Sequence, residues 1–117
     1  MLLIGGKADD PSAPVYAAVN ECIARAGSEA VVARLNRPAI YSKLESDCEG
    51  QIKALHDDIV RVNREAGVSE SDGQINASDT VKLTLDTFAD QFAGEVGRPY
   101  AVPYARNVEP EPPAQSN

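Results

Sequence analysis

The stretch from Pro38 to Ala66 constrains this chain most, because its apolar residues recur at helical spacing. From Cys48 onward the spacings alternate between four and three residues, so the apolar side chains fall on one helical face. Pro38 can open a helix and Gly67 can end it. The spacing predicts one amphipathic helix over about residues 38–66, roughly 43 Å long. Its predicted seam consists of Leu44, Cys48, Ile52, Leu55, Ile59, Val62 and Ala66.

This seam spans about two and a half heptads, which is short for an independent coiled coil. The rest of the chain offers only shorter, Ala-rich helices as partners. Because such partners cannot cover the whole stripe, we expect the chain to form a homo-oligomer through the seam. Gly50 is the one unfavourable residue within the stretch, at a cost of about 1 kcal/mol relative to Ala.

A second helix is predicted from Ser12 to about Asn36. Its apolar residues Val15, Val19, Cys22 and Ala26 lie three or four residues apart and share one face. Gly27 and Ser28 follow this face directly. We expect this pair to break or bend the helix, with Ser28 capping a second short segment.

Two interpretations remain open for residues 79–87, which follow a polar loop at 68–74. Alternation of Val81, Leu83 and Leu85 with polar residues is typical of a strand. Val81 and Leu85, however, continue into Phe88 and Phe92 on one helical face. The length of the segment favours a helix that ends at Gly94.

Length and composition predict an all-α fold with a single domain. A chain of 117 residues has no room for two independent cores. Apolar residues make up 43%, but aromatics only 5% and Trp is absent, which favours closely packed helices. We expect a helical hairpin or a three- to four-helix bundle over residues 12–97, with extended arms at 1–11 and 98–117.

The Pro-rich C-terminal arm is the second candidate binding element. It combines aromatic and cationic side chains with a backbone that proline keeps extended, a combination suited to docking on a partner. The alternative is a plain disordered terminus. The candidate residues are Arg98, Pro99, Tyr100, Pro103, Tyr104 and Arg106, and the apolar Met1–Ile4 could assist them.

Charge separates the two halves of the chain. Residues 1–67 carry a net charge of -2 and residues 68–117 a net charge of -5, for a total of -7. This excess argues against direct binding to nucleic acid or to anionic membranes. The N-terminus lacks the pattern of a signal peptide, and no apolar run approaches the length of a membrane span. We therefore expect a cytoplasmic location (host cytoplasm or virion if the protein is viral), with both cysteines reduced.

No catalytic or cofactor-binding pattern is present. His56 is the single histidine and stands beside Asp57 and Asp58, but consecutive helical residues point about 100° apart and do not chelate. Cys22, Cys48 and His56 lack the paired spacing of a structural zinc site. The sequence thus predicts a protein without catalytic residues, metal ligands or cofactors.

Three classes of function remain. The first is a non-enzymatic interaction or assembly subunit, such as a component of a virus or phage particle or an adaptor, that binds itself or another protein. The second is a small acidic inhibitor of phage or plasmid type that blocks a host defence or nucleic-acid-binding protein. The third is a helical oligomer that sequesters a small ligand, with candidate contacts Arg25, Arg34, Arg37, Arg61, Arg64 and Tyr41.

Overall fold

Four α-helices make up nearly all of residues 10–97, the part of the chain that the computed structural model describes. They are α1 (Ala13–Val32), α2 (Arg37–Asp47), α3 (Glu49–Glu65) and α4 (Glu70–Val96). All four pack together, so the predicted all-α bundle is confirmed. The predicted terminal arms lie outside the described residues.

The core lies where α1 and α4 meet the other two helices. Each of these helices packs against all the others, whereas α2 and α3 touch each other only near their junction. Both α1 and α4 contribute small and branched residues to the interior. The most completely buried apolar residues, each at most 2% exposed, are Val19, Ile23, Ala30, Ile40, Leu44, Cys48, Ala77, Leu85 and Ala89.

Helix α1 runs without interruption through Gly27, so the predicted break at this position is wrong. Gly27 is buried, and a Cβ atom placed on it would lie 2.1 Å from the ring of Phe92. The glycine therefore lets an aromatic ring of α4 approach the backbone of α1. Its role is close packing between helices rather than chain reversal.

The predicted single helix over 38–66 is also wrong, because Cys48 separates α2 from α3. The Cys48 N–H still donates to the Leu44 carbonyl at 3.1 Å, and Ile52 N–H donates to the Cys48 carbonyl at 2.8 Å. The backbone angles of Cys48, φ -111° and ψ 23°, are however not those of an α-helix, whose values are about -63° and -42°. The chain thus bends sharply at Cys48 without any proline.

Packing against α4 explains this bend. Asn63 of α3 lies beside Asn76 of α4, with the two side chains hydrogen-bonded at 3.0 Å. Between Asn63 and Arg37 the chain has 26 residues, but only 20 separate Asn76 from Val96 at the end of α4. A straight, antiparallel rod would therefore carry Arg37 beyond α4. The bend returns α2 to the bundle, where Arg37 reaches the acidic residues of α4.

Helix α4 resolves the ambiguity at residues 79–87, which are helical throughout. The helix begins earlier than the predicted polar loop allowed, because the Ser69 side chain accepts a hydrogen bond from Asp72 N–H at 3.2 Å. Such an N-cap satisfies one of the free donors of the first turn. The helix also passes Gly94 and ends at Val96.

A disulfide joins Cys22 of α1 to Cys48 at the bend, with the two Cα atoms 5.9 Å apart. The prediction of reduced thiols is therefore wrong. It rested on an assumed reducing compartment, whereas the fold brings two cysteines 26 residues apart within bonding range. Among residues 10–97, none of the helices combines the length and the apolar character needed to cross a bilayer.

Candidate functional site

The predicted oligomer seam lies mostly inside the bundle. Leu44, Cys48 and Leu55 are buried in the chain's own core, and Ile52 and Ile59 are half-buried against it. Of the seven seam residues, this leaves Val62, with 45% of its surface exposed, and Ala66. The bend at Cys48 is the reason, because it turns both parts of the seam towards α1 and α4.

A different surface carries exposed apolar side chains, and we call it the outer face of α4. It consists of Asp72, Ile75, Asp79 and Leu83, whose spacings of three, four and four residues place them on one side of the helix. Ile75 is 57% exposed and Leu83 67% exposed, while Val81 and Leu85 point into the core. The outer face therefore presents two aliphatic side chains to solvent, about 12 Å apart along the helix axis.

The charge of this face is negative and only partly compensated. Arg37 forms ion pairs with Asp86 (3.0 Å) and Asp90, and Lys82 pairs with Asp86 at 2.9 Å. Hydrogen bonds from Lys82 and then from Arg37 hold the pKa of Asp86 below its ordinary value. In contrast, Asp72 and Asp79 have no ion-pair partner anywhere in residues 10–97. Their carboxylates flank Ile75 along the helix.

A buried polar cluster ties the start of α1 to α3, and sequence reasoning missed it. The Ser12 hydroxyl donates to Asp58 Oδ2 at 2.6 Å, and Arg61 donates to Asp58 Oδ1 at 2.8 Å and to Ser12 Oγ at 3.2 Å. Burial disfavours ionisation of Asp58, but the hydrogen bonds from Ser12 and Arg61 outweigh it. The pKa of Asp58 therefore lies below its ordinary value.

His56 also meets partners that the sequence did not indicate. Its Nε2 lies 3.3 Å from the Ser78 hydroxyl, and its Nδ1 lies 3.7 Å from a carboxylate oxygen of Asp57. The order carboxylate, imidazole, hydroxyl is that of a hydrolytic triad. However, the second contact is too long for a hydrogen bond, and Lys53 binds the other Asp57 oxygen at 2.9 Å.

Ser78 also lacks the surroundings of a nucleophile. It lies in the interior of α4, where the backbone N–H groups serve the helix and are not free to stabilise an oxyanion. A cavity of the described chain lies elsewhere, against Cys22. We therefore interpret the contact between His56 and Ser78 as part of the packing between α3 and α4.

That cavity has a volume of about 200 Å³ and is lined by Cys22, Arg25, Ala26, Glu29 and Asp47. Of the arginines proposed for ligand binding, only Arg25 lines it. Arg37, Arg61 and Arg64 are instead engaged in ion pairs with acidic residues. In residues 10–97, no three His, Cys, Asp or Glu side chains are grouped so that they could hold a metal ion.

Comparison with known proteins finds no matching family model, no similar curated protein and no similar solved structure. Inference about function therefore depends on the surfaces of this chain alone. Two of these stand out: the outer face of α4 and the disulfide with its adjoining cavity.

Proposed function

We propose that this chain is a non-enzymatic protein–protein interaction subunit that binds a basic partner through the outer face of α4. The observation that carries this proposal is the exposure of Ile75 and Leu83 on one face with Asp72 and Asp79, which have no ion-pair partner in residues 10–97. Aliphatic side chains supply contact area, and the flanking Asp72 and Asp79 favour a cationic surface. An adaptor or a particle component would use such a face.

Charge argues for a different protein, rather than a second copy, on this face. Helix α4 carries six acidic residues and one basic residue. If two copies met antiparallel around Asp79, their carboxylates would face one another, which is unfavourable without a counter-charge. Homo-oligomerisation through the seam remains a separate prediction that rests on Val62, Ala66 and the terminal arms.

An inhibitor of a nucleic-acid-binding protein is the second candidate function. The acidic excess of α4 favours it, because the partner's basic surface would then be the one that normally contacts phosphate. The two candidates differ in consequence, since only the inhibitor competes with nucleic acid. Once a partner is identified, displacement of labelled DNA or RNA from it distinguishes them.

Site-specific photocrosslinking in the producing cell tests the proposal. A photoreactive amino acid replaces Leu83 in one variant and Ala24, exposed on α1, in a matched control. We expect position 83 to capture a basic protein that position 24 does not capture. Adding Asp79→Lys to the first variant should remove the adduct, because it places a cation against a basic partner.

Equal capture from both positions, or capture that survives Asp79→Lys, would contradict a role for the outer face of α4. Light scattering over a wide concentration range examines the oligomer prediction separately. A monomer at every concentration would exclude the homo-oligomer and leave the binding of a basic partner intact.

A further inference from the structure

We propose that the Cys22–Cys48 disulfide is a thiol–disulfide exchange site, which a small thiol opens in the folded protein by attacking Cys22 Sγ from the adjoining cavity. This inference is independent of the partner-binding role of α4. It rests on three features: the cavity at Cys22, the position of Cys48 at the start of α3, and the bend that the disulfide holds.

The cavity supplies the route to the attacked sulfur. Cys22 is part of the cavity wall, whereas Cys48 is completely buried and does not line it. A volume of about 200 Å³ holds about six waters at ~30 Å³ each, enough for a small thiol. Cys22 is itself only 4% exposed, so a thiol reaches it through the cavity, and the exchange is directed at Cys22 rather than at Cys48.

The charges of the cavity wall are compatible with an incoming thiolate. Glu29 and Asp47 contribute carboxylates, but Lys43 Nζ binds both of them, at 3.0 Å and 2.8 Å. Arg25 forms no ion pair with any residue of the described chain. It is the one wall cation free to attract an anionic nucleophile, and we assign it as a positioning residue for the attack.

Cys48 is placed to leave as a thiolate. It is the N-cap residue of α3, directly before the N–H groups of Glu49, Gly50 and Gln51, and as part of the disulfide its side chain accepts no capping hydrogen bond from them. Free N–H groups and the dipole of a helix N-terminus stabilise a thiolate. The neighbouring Glu49 carboxylate opposes this effect, but it is exposed to solvent and therefore screened.

The exchange with a dithiol reductant proceeds in two steps. One thiolate of the reductant attacks Cys22 Sγ, the S–S bond breaks, and its electron pair leaves on Cys48 Sγ, which then takes a proton from water. The second thiolate of the reductant then attacks the first sulfur of the same reductant, which is bonded to Cys22 in the mixed disulfide. Cys22 leaves as a thiolate and is protonated in turn. The protein gains two thiols and the reductant becomes a cyclic disulfide.

The rate of reduction by dithiothreitol tests whether this happens in the folded protein. The oxidised full-length chain is mixed with excess dithiothreitol, and free thiols are alkylated and counted by mass spectrometry over time. We expect a rate proportional to the dithiothreitol concentration and constant within about twofold in urea below the unfolding transition. A rate that rises with urea in step with the unfolded fraction would mean that reduction requires unfolding.

Two charge-reversal variants test the role of the cavity. Arg25→Glu should slow reduction about tenfold at low salt, because the charge of a cavity-wall side chain changes by two units beside the attacking thiolate. Arg64→Glu makes the same charge change near the far end of α3, and its rate should equal that of the wild type. Equal slowing in both variants would overturn the assignment of Arg25.

A core variant separates local from global opening. Leu85→Ala removes a buried core side chain that does not line the cavity and shifts the unfolding equilibrium by at least about 30-fold. Attack through the cavity predicts an unchanged reduction rate, whereas reduction from the unfolded state predicts a rate that rises by the same factor. If this variant does not fold, the urea dependence of the wild type decides between the two.

Discussion

Two contacts hold α1 against the second half of the bundle, and they are made of opposite chemistry. At one position a disulfide joins Cys22 to Cys48, and at the other a hydrogen bond joins Ser12 to Asp58. Helices α1 and α3 run antiparallel. The two contacts are ten residues apart on each of them, from Ser12 to Cys22 and from Cys48 to Asp58, which corresponds to about 15 Å. We call the first the covalent contact and the second the polar contact.

Because of this difference, the covalent contact and the polar contact respond to different conditions. The covalent contact is indifferent to pH and salt but depends on the redox state of its surroundings. The polar contact is indifferent to redox state but requires an ionised Asp58. Each contact can therefore be removed while the other remains, and the consequences should differ in size and in condition.

Removal of the covalent contact should have the largest effect. The double substitution Cys22→Ala with Cys48→Ala opens a loop with a sequence separation of 26, which should lower the free energy of unfolding by about 3.5 kcal/mol. Urea denaturation of the variant and of the oxidised wild type measures the difference. The reduced wild type is the control, and it should resemble the variant. Equal midpoints for all three would show that the disulfide does not stabilise the bundle.

Removal of the polar contact should have an intermediate effect. Asp58→Asn deletes a buried charge that Ser12 and Arg61 satisfy, at a cost of about 2 kcal/mol at neutral pH. Asp57→Asn is the matched control, because Asp57 is exposed and its ion pair is with the exposed Lys53. Its loss of stability should be much smaller than that of Asp58→Asn. Chemical denaturation at pH 7 compares the two, and equal losses would contradict a specific role for Asp58.

The effect of Asp58→Asn should also depend on pH. Because the folded-state pKa of Asp58 is lowered, its contribution is complete above the unfolded-state value of about 4 and is lost as pH falls through the folded-state value. The difference in the free energy of unfolding between wild type and variant, the gap, should therefore be constant above about pH 5 and should shrink below about pH 4. A gap that persists at pH 2.5 would assign the effect to packing.

The smallest effects on stability are expected from two glycine substitutions. Gly27→Ala lies in the same helix as Cys22 of the covalent contact, and Gly94→Ala serves as its comparison. Gly27→Ala improves helix propensity by about 1 kcal/mol but forces the Phe92 ring to move, for a net loss of about 1–2 kcal/mol. Gly94→Ala meets no atom within 4 Å and should instead stabilise by about 1 kcal/mol. Thermal denaturation of both variants shows whether each substitution raises or lowers stability. An increase in stability for Gly27→Ala would contradict the role of Gly27 in packing.

Local patterns predicted the helices but not their arrangement. Periodicity identified the faces around Val19 and Leu85, and the length of the last segment favoured helix over strand for residues 79–87. These features depend on nearby residues only, which is why the sequence revealed them. The bend at Cys48 has no such signal, because proline is absent there and the nearby Gly50, although unfavourable in a helix, lies within α3. It arises from the fit of α2 and α3 against α4.

The contacts between distant residues were equally hidden. Gly27 was interpreted as a helix break because its partner, Phe92, is far away in sequence. Ser12, at which a helix is predicted to begin, binds Asp58 through its side chain, and His56 meets Ser78 only because α3 and α4 pack together. Of the predicted binding elements, the seam lies mostly in the core and the C-terminal arm lies outside the described residues. Of the outer face of α4, the sequence analysis noted only Leu83, as one member of the strand-like alternation with Val81 and Leu85.

The place of α4 in the chain has a consequence for biosynthesis. This helix packs against each of the other three, yet it is the last of them to leave the ribosome. Nascent α1, α2 and α3 therefore emerge before the surface that covers them exists. Their apolar faces stay uncovered until translation has passed Val96, so the final folding step waits for nearly the whole bundle to be made.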